Sequence, residues 1–191
     1  MFLSMRRSTV PVGIVHKLLI AGVAAVLVVS CSTVPAPQSE EDALLVIPVI
    51  REQAGGAIPS SGYFEILLGR EGVVTPAKWV RIDGTRAYRV VEDLRPGGYT
   101  IRQTRAVGTA DNVVMEMPRA GKRPETGAAL ELDAGAITIS PIAFRLRTAQ
   151  RTPGTFTFRL SAEETTASVR REVLDQLSGD PDFAAWDVRD E

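Results

Sequence analysis

Cysteine and histidine are almost absent from this chain of 191 residues, which contains one of each. Both of them, His16 and Cys31, lie within the first 31 positions. The rest of the chain therefore cannot form an internal disulfide, offer a histidine or cysteine ligand to a metal, or use a thiolate or a serine–histidine pair as a nucleophile. These exclusions favour a protein that is not an enzyme and that needs no cofactor.

Acidic residues are absent from residues 1–30, which contain the three cations Arg6, Arg7 and Lys17. A run of 13 apolar and small residues, Leu18–Ser30, follows them. A basic stretch before such a run is typical of a secretory signal peptide. Because a membrane-spanning helix needs about 20 apolar residues, we predict that residues 1–30 are a cleaved signal peptide. An uncleaved anchor helix is the alternative.

The expected cleavage point is Val28-Val29-Ser30-Cys31, where a small residue precedes the only cysteine. This sequence resembles the lipobox of bacterial lipoproteins. The resemblance implies cleavage between Ser30 and Cys31, diacylglycerol on the sulfur of Cys31, and acylation of the new amino group with fatty chains such as palmitate. The membrane would then be a partner through a covalent lipid.

The residue after the cysteine is Ser32 and not aspartate. By the sorting rule of bacteria with two membranes, the resemblance then implies an outer-membrane lipoprotein that faces the periplasm. Two or three long chains would make release negligible, since each buried methylene contributes about 0.8 kcal/mol.

The net charge of the chain after residue 30 is mildly negative. Removing the three cations of the signal peptide leaves 19 basic and 23 acidic residues, a net charge of −4. A domain of this charge has no overall electrostatic attraction to nucleic acid or to the phosphate-rich face of a membrane.

Helical periodicity is scarce between residues 43 and 160, where short apolar and β-branched runs are separated by glycine, proline and Asp-Gly. This spacing predicts a mainly β protein: an antiparallel β-sandwich over 43–160 with a C-terminal α-helix, preceded by the signal peptide and a flexible tether. The tether covers residues 31–42, including the lipidated N-terminus, and could reach about 35 Å. The predicted strands are Leu44–Ile50, Gly62–Leu68, Lys78–Ile82, Arg86–Glu92, Tyr99–Val107, Val113–Met117, Ala129–Leu132, Ala136–Arg147 and Thr155–Leu160.

Three short features predict how these strands are arranged. Asp83-Gly84 is a hairpin signal that should join the strands on either side of it. Pro141 should bend or split the run Ala136–Arg147, because proline cannot donate to a ladder. By the same reasoning, Pro48 places the first strand at a sheet edge.

Two segments carry a second resemblance. Leu94-Arg95-Pro96-Gly97-Gly98-Tyr99-Thr100-Ile101 is similar to the L-x-P-G-x-Y-x-I signature of transthyretin-like, carboxypeptidase-regulatory-like β-sandwich domains. The resemblance implies a turn at Pro-Gly and a strand that begins at the tyrosine. The later segment Leu130–Ile139 is similar to the second part of the pattern, a strand, an Ala-Gly turn and another strand.

The C-terminal segment, residues 161–191, has the features of a helix. Ser161 and Glu164 match a capping box, which predicts that the helix begins there. An apolar stripe follows at Val169, Val173, Leu174 and Leu177, and Asp180-Pro181 predicts a further short turn. The stripe could pack on the open face of the sandwich, or it could be a detachable element that binds a partner protein.

Candidate ligand contacts are few. Arg119, Lys122 and Arg123 form the one basic loop, which could meet a lipid headgroup or a peptidoglycan carboxylate, and Trp79 is a candidate platform for carbohydrate. Carboxylates alone could serve a glycosidase; the candidates are Glu65, Asp83, Glu92, Asp93, Glu116, Glu131 and Asp133.

We therefore predict an acyl-anchored lipoprotein of the cell envelope that acts as a non-catalytic binding or structural module. One alternative is an accessory subunit of an envelope assembly or secretion complex, which docks through the C-terminal helix or an edge strand. A carboxylate-based hydrolase is the other.

Overall fold

The computed structural model describes residues 34–54, 63–73, 78–107, 113–116, 129–153 and 155–189. Within these ranges the chain is mainly β, with one α-helix and one 3-10 turn near its C-terminus. The strands are β1 Ala43–Ala54, β2 Tyr63–Arg70, β3 Lys78–Ile82, β4 Tyr88–Leu94, β5 Gly97–Val107, β6 Val113–Glu116, β7 Ala129–Leu132, β8 Ala136–Ile139, β9 Ile142–Thr152, β10 Thr155–Glu164 and β11 Asp187–Arg189. The helix is α1 Ala167–Leu177, and the 3-10 turn covers Phe183–Ala185.

The strands form two sheets, as the sequence predicts. The small sheet has the order β3-β2-β5-β7 and is antiparallel throughout. The large sheet has the order β11-β8-β1-β9-β10-β6, with β4 on the other side of β1. It includes parallel pairs, because β8 and β9 run beside β1 in the same direction. The predicted β-sandwich with a C-terminal helix is confirmed.

The main core lies between the two sheets. It includes Phe64 from the small sheet and Phe158 from the large one, whose ring centroids are 5.2 Å apart. In β1 the alternate residues Leu45 and Ile47 point into this core, while Leu44 and Val46 point to the opposite face. Both faces of β1 are therefore covered, which explains why its sequence is apolar at nearly every position.

A second core covers the outer face of the large sheet. Val173 and Leu177 of α1 and Trp186 pack there against Leu44 and Ile139. The apolar stripe of the helix therefore faces its own sheet. This is the first of the two arrangements that the sequence left open.

The two proline predictions have different outcomes. Pro141 does split the long run, and β8 ends and β9 begins on either side of Ser140 and Pro141. The edge position for Pro48 was wrong, because β1 pairs with β4 on one side and with β8 and β9 on the other. Pro48 lies between Val46, which pairs with β8, and Val49, which pairs with β9. Pro48, which has no backbone amide hydrogen to donate, therefore lies opposite the break between β8 and β9.

The hairpin prediction at Asp83-Gly84 was also wrong. The strands on either side belong to different sheets, since β3 pairs with β2 and β4 pairs with β1. The turn is held by the Asp83 carboxylate, which accepts hydrogen bonds from the Thr85 amide at 3.1 Å and the Thr85 hydroxyl at 2.8 Å. Gly84 supplies a positive φ of 67°. The same dipeptide therefore makes a crossover between sheets.

The helix does not begin at Ser161, so the boundary predicted between the sandwich (43–160) and the helical segment (161–191) was wrong. Residues through Glu164 belong to β10, where Ala162 pairs with Phe144 and Glu163 pairs with Ala143. The helix is capped by Thr166, whose side chain accepts from the Val169 amide. Pairing with β9 satisfies more backbone groups than a capping box could, so the strand extends through the capping sequence.

The turns expected from the second resemblance are present, with one difference. Ala134 and Gly135 form a turn between β7 and β8, and Gly135 has a φ of 71°. The Pro-Gly turn lies between β4 and β5, but β5 begins at Gly97 and not at Tyr99. Family membership stays a prediction.

The part of the predicted tether that the structure describes is not a tether. Val34 is fully buried, and its amide donates to Asp180 Oδ2 at 3.1 Å. The Trp186 indole nitrogen donates to the Pro35 carbonyl at 2.7 Å. Residues 34–42, called the N-terminal segment below, are thus held by the C-terminal part of the chain. The sequence of residues 34–42 does not predict these contacts, because the partner residues lie about 150 positions away in the chain.

Candidate functional site

Some of the predicted site residues lie within the described ranges, and others lie outside them. Ser30 and Cys31, the expected cleavage and lipidation site, lie outside them, as do Arg119, Lys122 and Arg123. Trp79 lies in β3. The structure therefore bears on the lipidation site only through the N-terminal segment, which begins three residues after Cys31.

Trp79 lies on the outer face of the small sheet beneath an arginine. The guanidinium carbon of Arg105 is 3.8 Å from the centre of the Trp79 ring. Arg105 is held in place by Glu65 on the neighbouring strand, with Nη2 and Oε2 2.6 Å apart. In the same way Arg81 lies 4.1 Å from the centre of the Tyr63 ring. A sugar stacking on either aromatic ring would compete with an arginine for that face.

One end of the sandwich, the end at which β1 begins, collects several turns. Ala43 of β1 is in register with Leu94 at the end of β4. In the small sheet, Arg70 at the end of β2 is in register with Tyr99, near the start of β5. Because these strands alternate in direction, the β2–β3 and β4–β5 connections meet at this end. We call it the N-terminal end.

A cleft of about 530 Å³ opens at the N-terminal end. Part of its wall is apolar, and Val73 there is 38% exposed. The rest is charged, with three cations and one carboxylate. The cleft is lined by Leu68, Arg70, Val73, Lys78, Asp93, Leu94, Arg95 and Tyr99.

The β4–β5 turn that forms one side of the cleft is held firmly. The Tyr99 hydroxyl donates to the Arg95 carbonyl at 3.0 Å and accepts from the Arg95 amide at 3.2 Å. Arg70 Nη2 donates to the Pro96 carbonyl at 2.7 Å. These contacts join both connections at this end, so the cleft is preformed.

Asp93 at the rim of the cleft has an unusual backbone. Its φ of 55° is the one positive value for a non-glycine residue in the described ranges. Its carboxylate is 87% exposed and lies 3.6 Å from the Lys78 ammonium, which also donates to the Glu92 carbonyl. Such strain is often found at functional positions. The cleft could not be predicted from the sequence, because its lining comes from three separate segments.

The half-buried carboxylates of the hydrolase alternative have arginine partners. Glu65 pairs with Arg105, and Asp133 lies 2.6 Å from Arg189 Nη1. At Asp83, burial opposes ionisation, but hydrogen bonds from Thr85 and the charges of Arg81 and Arg89 lower the pKa overall. A general acid needs the opposite shift. Within the described ranges, no group of three acidic, cysteine or histidine side chains could hold a metal ion.

The accessory-subunit alternative depends on a helix or an edge that a partner can reach. The apolar face of α1 is covered by the large sheet. The second half of β1 offers an edge: from Ile50 to Ala54 it pairs with β9, and no other strand in the described ranges pairs with it there.

Comparisons with family models, with curated proteins and with solved structures found no match. In the part of the chain that the structure describes, no helix combines the length and apolar character needed to cross a membrane.

Proposed function

We propose that this chain is an acyl-anchored lipoprotein of the cell envelope, and that its β-sandwich is a non-catalytic binding or structural module at the periplasmic face of the outer membrane. The observation that carries the proposal is the sequence Val28-Val29-Ser30-Cys31 after a basic and apolar leader. Ser32, in place of aspartate, supports the choice of membrane.

The buried position of Val34 is compatible with this anchor, and it shortens the free chain between the lipid and the domain. Only Ser32 and Thr33 separate Cys31 from the buried Val34. Three Cα-to-Cα steps reach about 10 Å, so the domain would sit directly on the lipid surface. The longer reach of about 35 Å would require residues 34–42 to leave their contacts with Asp180 and Trp186.

The features of the domain favour binding over catalysis. The cleft at the N-terminal end combines an apolar wall with positive charges, which suits a ligand with an anionic part. The half-buried carboxylates Glu65 and Asp133 are engaged in ion pairs that link neighbouring strands or segments.

Mass spectrometry of the mature protein purified from membranes tests the proposal. We expect an N-terminal residue Cys31 that carries diacylglycerol and an acylated amino group. A Cys31→Ala variant should accumulate as the uncut precursor, whereas Ser30→Ala, which keeps a small residue before the cysteine, should be processed. Recovery of the natural protein with an unmodified Cys31, or normal cleavage of Cys31→Ala, would contradict the proposal.

A further inference from the structure

The point at which the chain enters the fold determines which end of the sandwich lies nearest the membrane, if Cys31 carries the lipid as proposed above. Val34 is buried beside Leu44 and Trp186, and Ala43 at the start of β1 follows the N-terminal segment. With about 10 Å of chain between Cys31 and Val34, the lipid surface must lie close to the N-terminal end.

The cleft lies at this same end. Pro35 and Ala36 of the N-terminal segment line a small cavity together with Asp93. Asp93 also lines the cleft, together with Lys78 and Arg95. The cavity beside the N-terminal segment and the cleft are thus adjacent and share Asp93 in their walls.

We propose that the N-terminal end of the sandwich rests on the lipid headgroups, and that the cleft binds the phosphate of an anionic phospholipid of that membrane. This inference rests on the proposed acylation of Cys31. Charge complementarity supports the choice of ligand: Arg70, Lys78 and Arg95 line the cleft against the single carboxylate of Asp93, although the chain after residue 30 is acidic overall. A phosphate attracts such a local cluster of cations whatever the net charge of the domain.

Two of the cations can engage a phosphate without breaking the fold. Arg95 is exposed, and its guanidinium has no hydrogen-bond or ion-pair partner in the described ranges. Lys78 faces Asp93 at 3.6 Å in solvent, a weak pair that a phosphate can join. Arg70 is already bound to the Pro96 carbonyl and shapes the cleft. The exposed Val73 and the ring of Tyr99 provide an apolar wall for the glycerol and the first methylenes.

The absence of cysteine after residue 31 makes the test simple, because an introduced cysteine is the one free thiol of the acylated protein. A fluorophore is placed beside the cleft with Glu71→Cys, at an exposed position of the β2–β3 connection that does not line the cleft, and a control fluorophore is placed in the β3–β4 turn, at the opposite end of β3, with Arg86→Cys. The acylated full-length variants are reconstituted into phosphatidylcholine vesicles with or without phosphatidylglycerol. A quencher attached to a lipid headgroup then reports how close each fluorophore lies to the membrane.

We expect several-fold stronger quenching at position 71 than at position 86, and a further increase when phosphatidylglycerol is present. Arg95→Gln should lower the equilibrium constant for docking, obtained from that further increase, about fivefold, since one basic residue at an anionic surface contributes about 1 kcal/mol. Arg95→Lys should restore it, and Arg86→Gln should leave it unchanged. Thermal unfolding midpoints equal to the parent would confirm that these surface variants fold.

Equal quenching at the two positions would overturn the orientation. Quenching at position 71 that changes neither with phosphatidylglycerol nor with Arg95→Gln would overturn headgroup binding. Self-quenching at position 71 that rises with protein density would identify a second copy as the occupant of the cleft and would also overturn headgroup binding. A protein that fails to float with the vesicles, or that lacks the acyl chains, would instead contradict the proposed function.

Discussion

Trp186 shows how a single side chain joins the two ends of this chain. It is 7% exposed and packs in the second core, and its indole nitrogen donates to the Pro35 carbonyl. Val34 lies in the same cluster, and Asp180 accepts its amide hydrogen. These long-range contacts therefore hold the start of the N-terminal segment, Val34 and Pro35, against the C-terminal part of the chain.

Trp186→Phe should lower the free energy of unfolding by about 1 to 2 kcal/mol, because it removes one hydrogen bond and some buried volume. Trp79→Phe, on the outer face of the small sheet, should change it by less than about 0.5 kcal/mol. Urea unfolding followed by circular dichroism measures both. In hydrogen exchange, Trp186→Phe should also speed the exchange of the Val34 amide. Equal losses in the two variants would show that the Pro35 contact does not hold the N-terminal segment.

At the scale of elements, the junction between β10 and α1 shows two local signals in competition. Ser161 and Glu164 match a capping box, yet both lie in β10, which pairs with β9 through Glu164. After the strand ends, the Thr165 amide donates to the Pro141 carbonyl and the Thr165 hydroxyl donates to the Ser140 carbonyl. Thr166 then caps the helix.

Two alanine variants distinguish these assignments. Thr166→Ala should destabilise the protein by about 1 kcal/mol, since it removes the side chain that accepts from the Val169 amide. Ser161→Ala should cost less than about 0.5 kcal/mol, because Ser161 is a strand residue. Chemical denaturation of both variants measures the difference. A larger loss of stability for Ser161→Ala than for Thr166→Ala would indicate that the helix begins at Ser161.

The presence of the strands was largely predictable at this scale, since alternation and apolar runs located each of β1–β10. The ends of β1, β9 and β10 lie four or five residues beyond the predicted bounds. The pairing of the strands was not predictable. The local sequence at Asp83-Gly84 predicts a hairpin, and Pro48 predicts an edge strand. Both predictions failed because the pairing partner of β4 is β1, which is distant in the sequence. The cleft was not predictable for the same reason, because Arg70, Lys78 and Arg95 meet only once both sheets have formed.

For the whole molecule, several carboxylates are better ionised in the folded state than in an unfolded chain. The Ser39 hydroxyl and the Ser39 and Gln38 amides donate to Asp42 and lower its pKa. A hydrogen bond from Arg147, followed by the charges of Arg147 and Arg145, lowers the pKa of Glu52. The pKa of Asp83 is lowered as well. A carboxyl group whose pKa is lower in the folded state than in the unfolded state stabilises the fold at pH values above its unfolded pKa. This contribution is lost as the pH falls through the unfolded pKa and then the folded pKa.

The free energy of unfolding should therefore decrease as the pH falls from about 5 through the lowered pKa values of these groups. In Asp42→Asn this decrease should be smaller, because one of the linked carboxylates is gone. Urea titrations at several pH values measure the slopes for both proteins. An Asp42→Asn slope equal to that of the parent would show that Asp42 is not linked to folding.

The sequence by itself determined the local features of this protein: the strands, the break at Pro141 and the apolar stripe of α1. The proposed lipid anchor likewise rests on a local pattern, Val28-Val29-Ser30-Cys31 after a basic and apolar stretch. These depend on neighbours within a few residues, so hydrophobic period and backbone chemistry encode them directly. The tertiary structure alone decided where β1 lies, that β10 continues through Glu164, that Val34 is buried, and that three cations share one cleft. Each of these depends on contacts between residues far apart in the chain, which form only when both sheets and the helix have packed together.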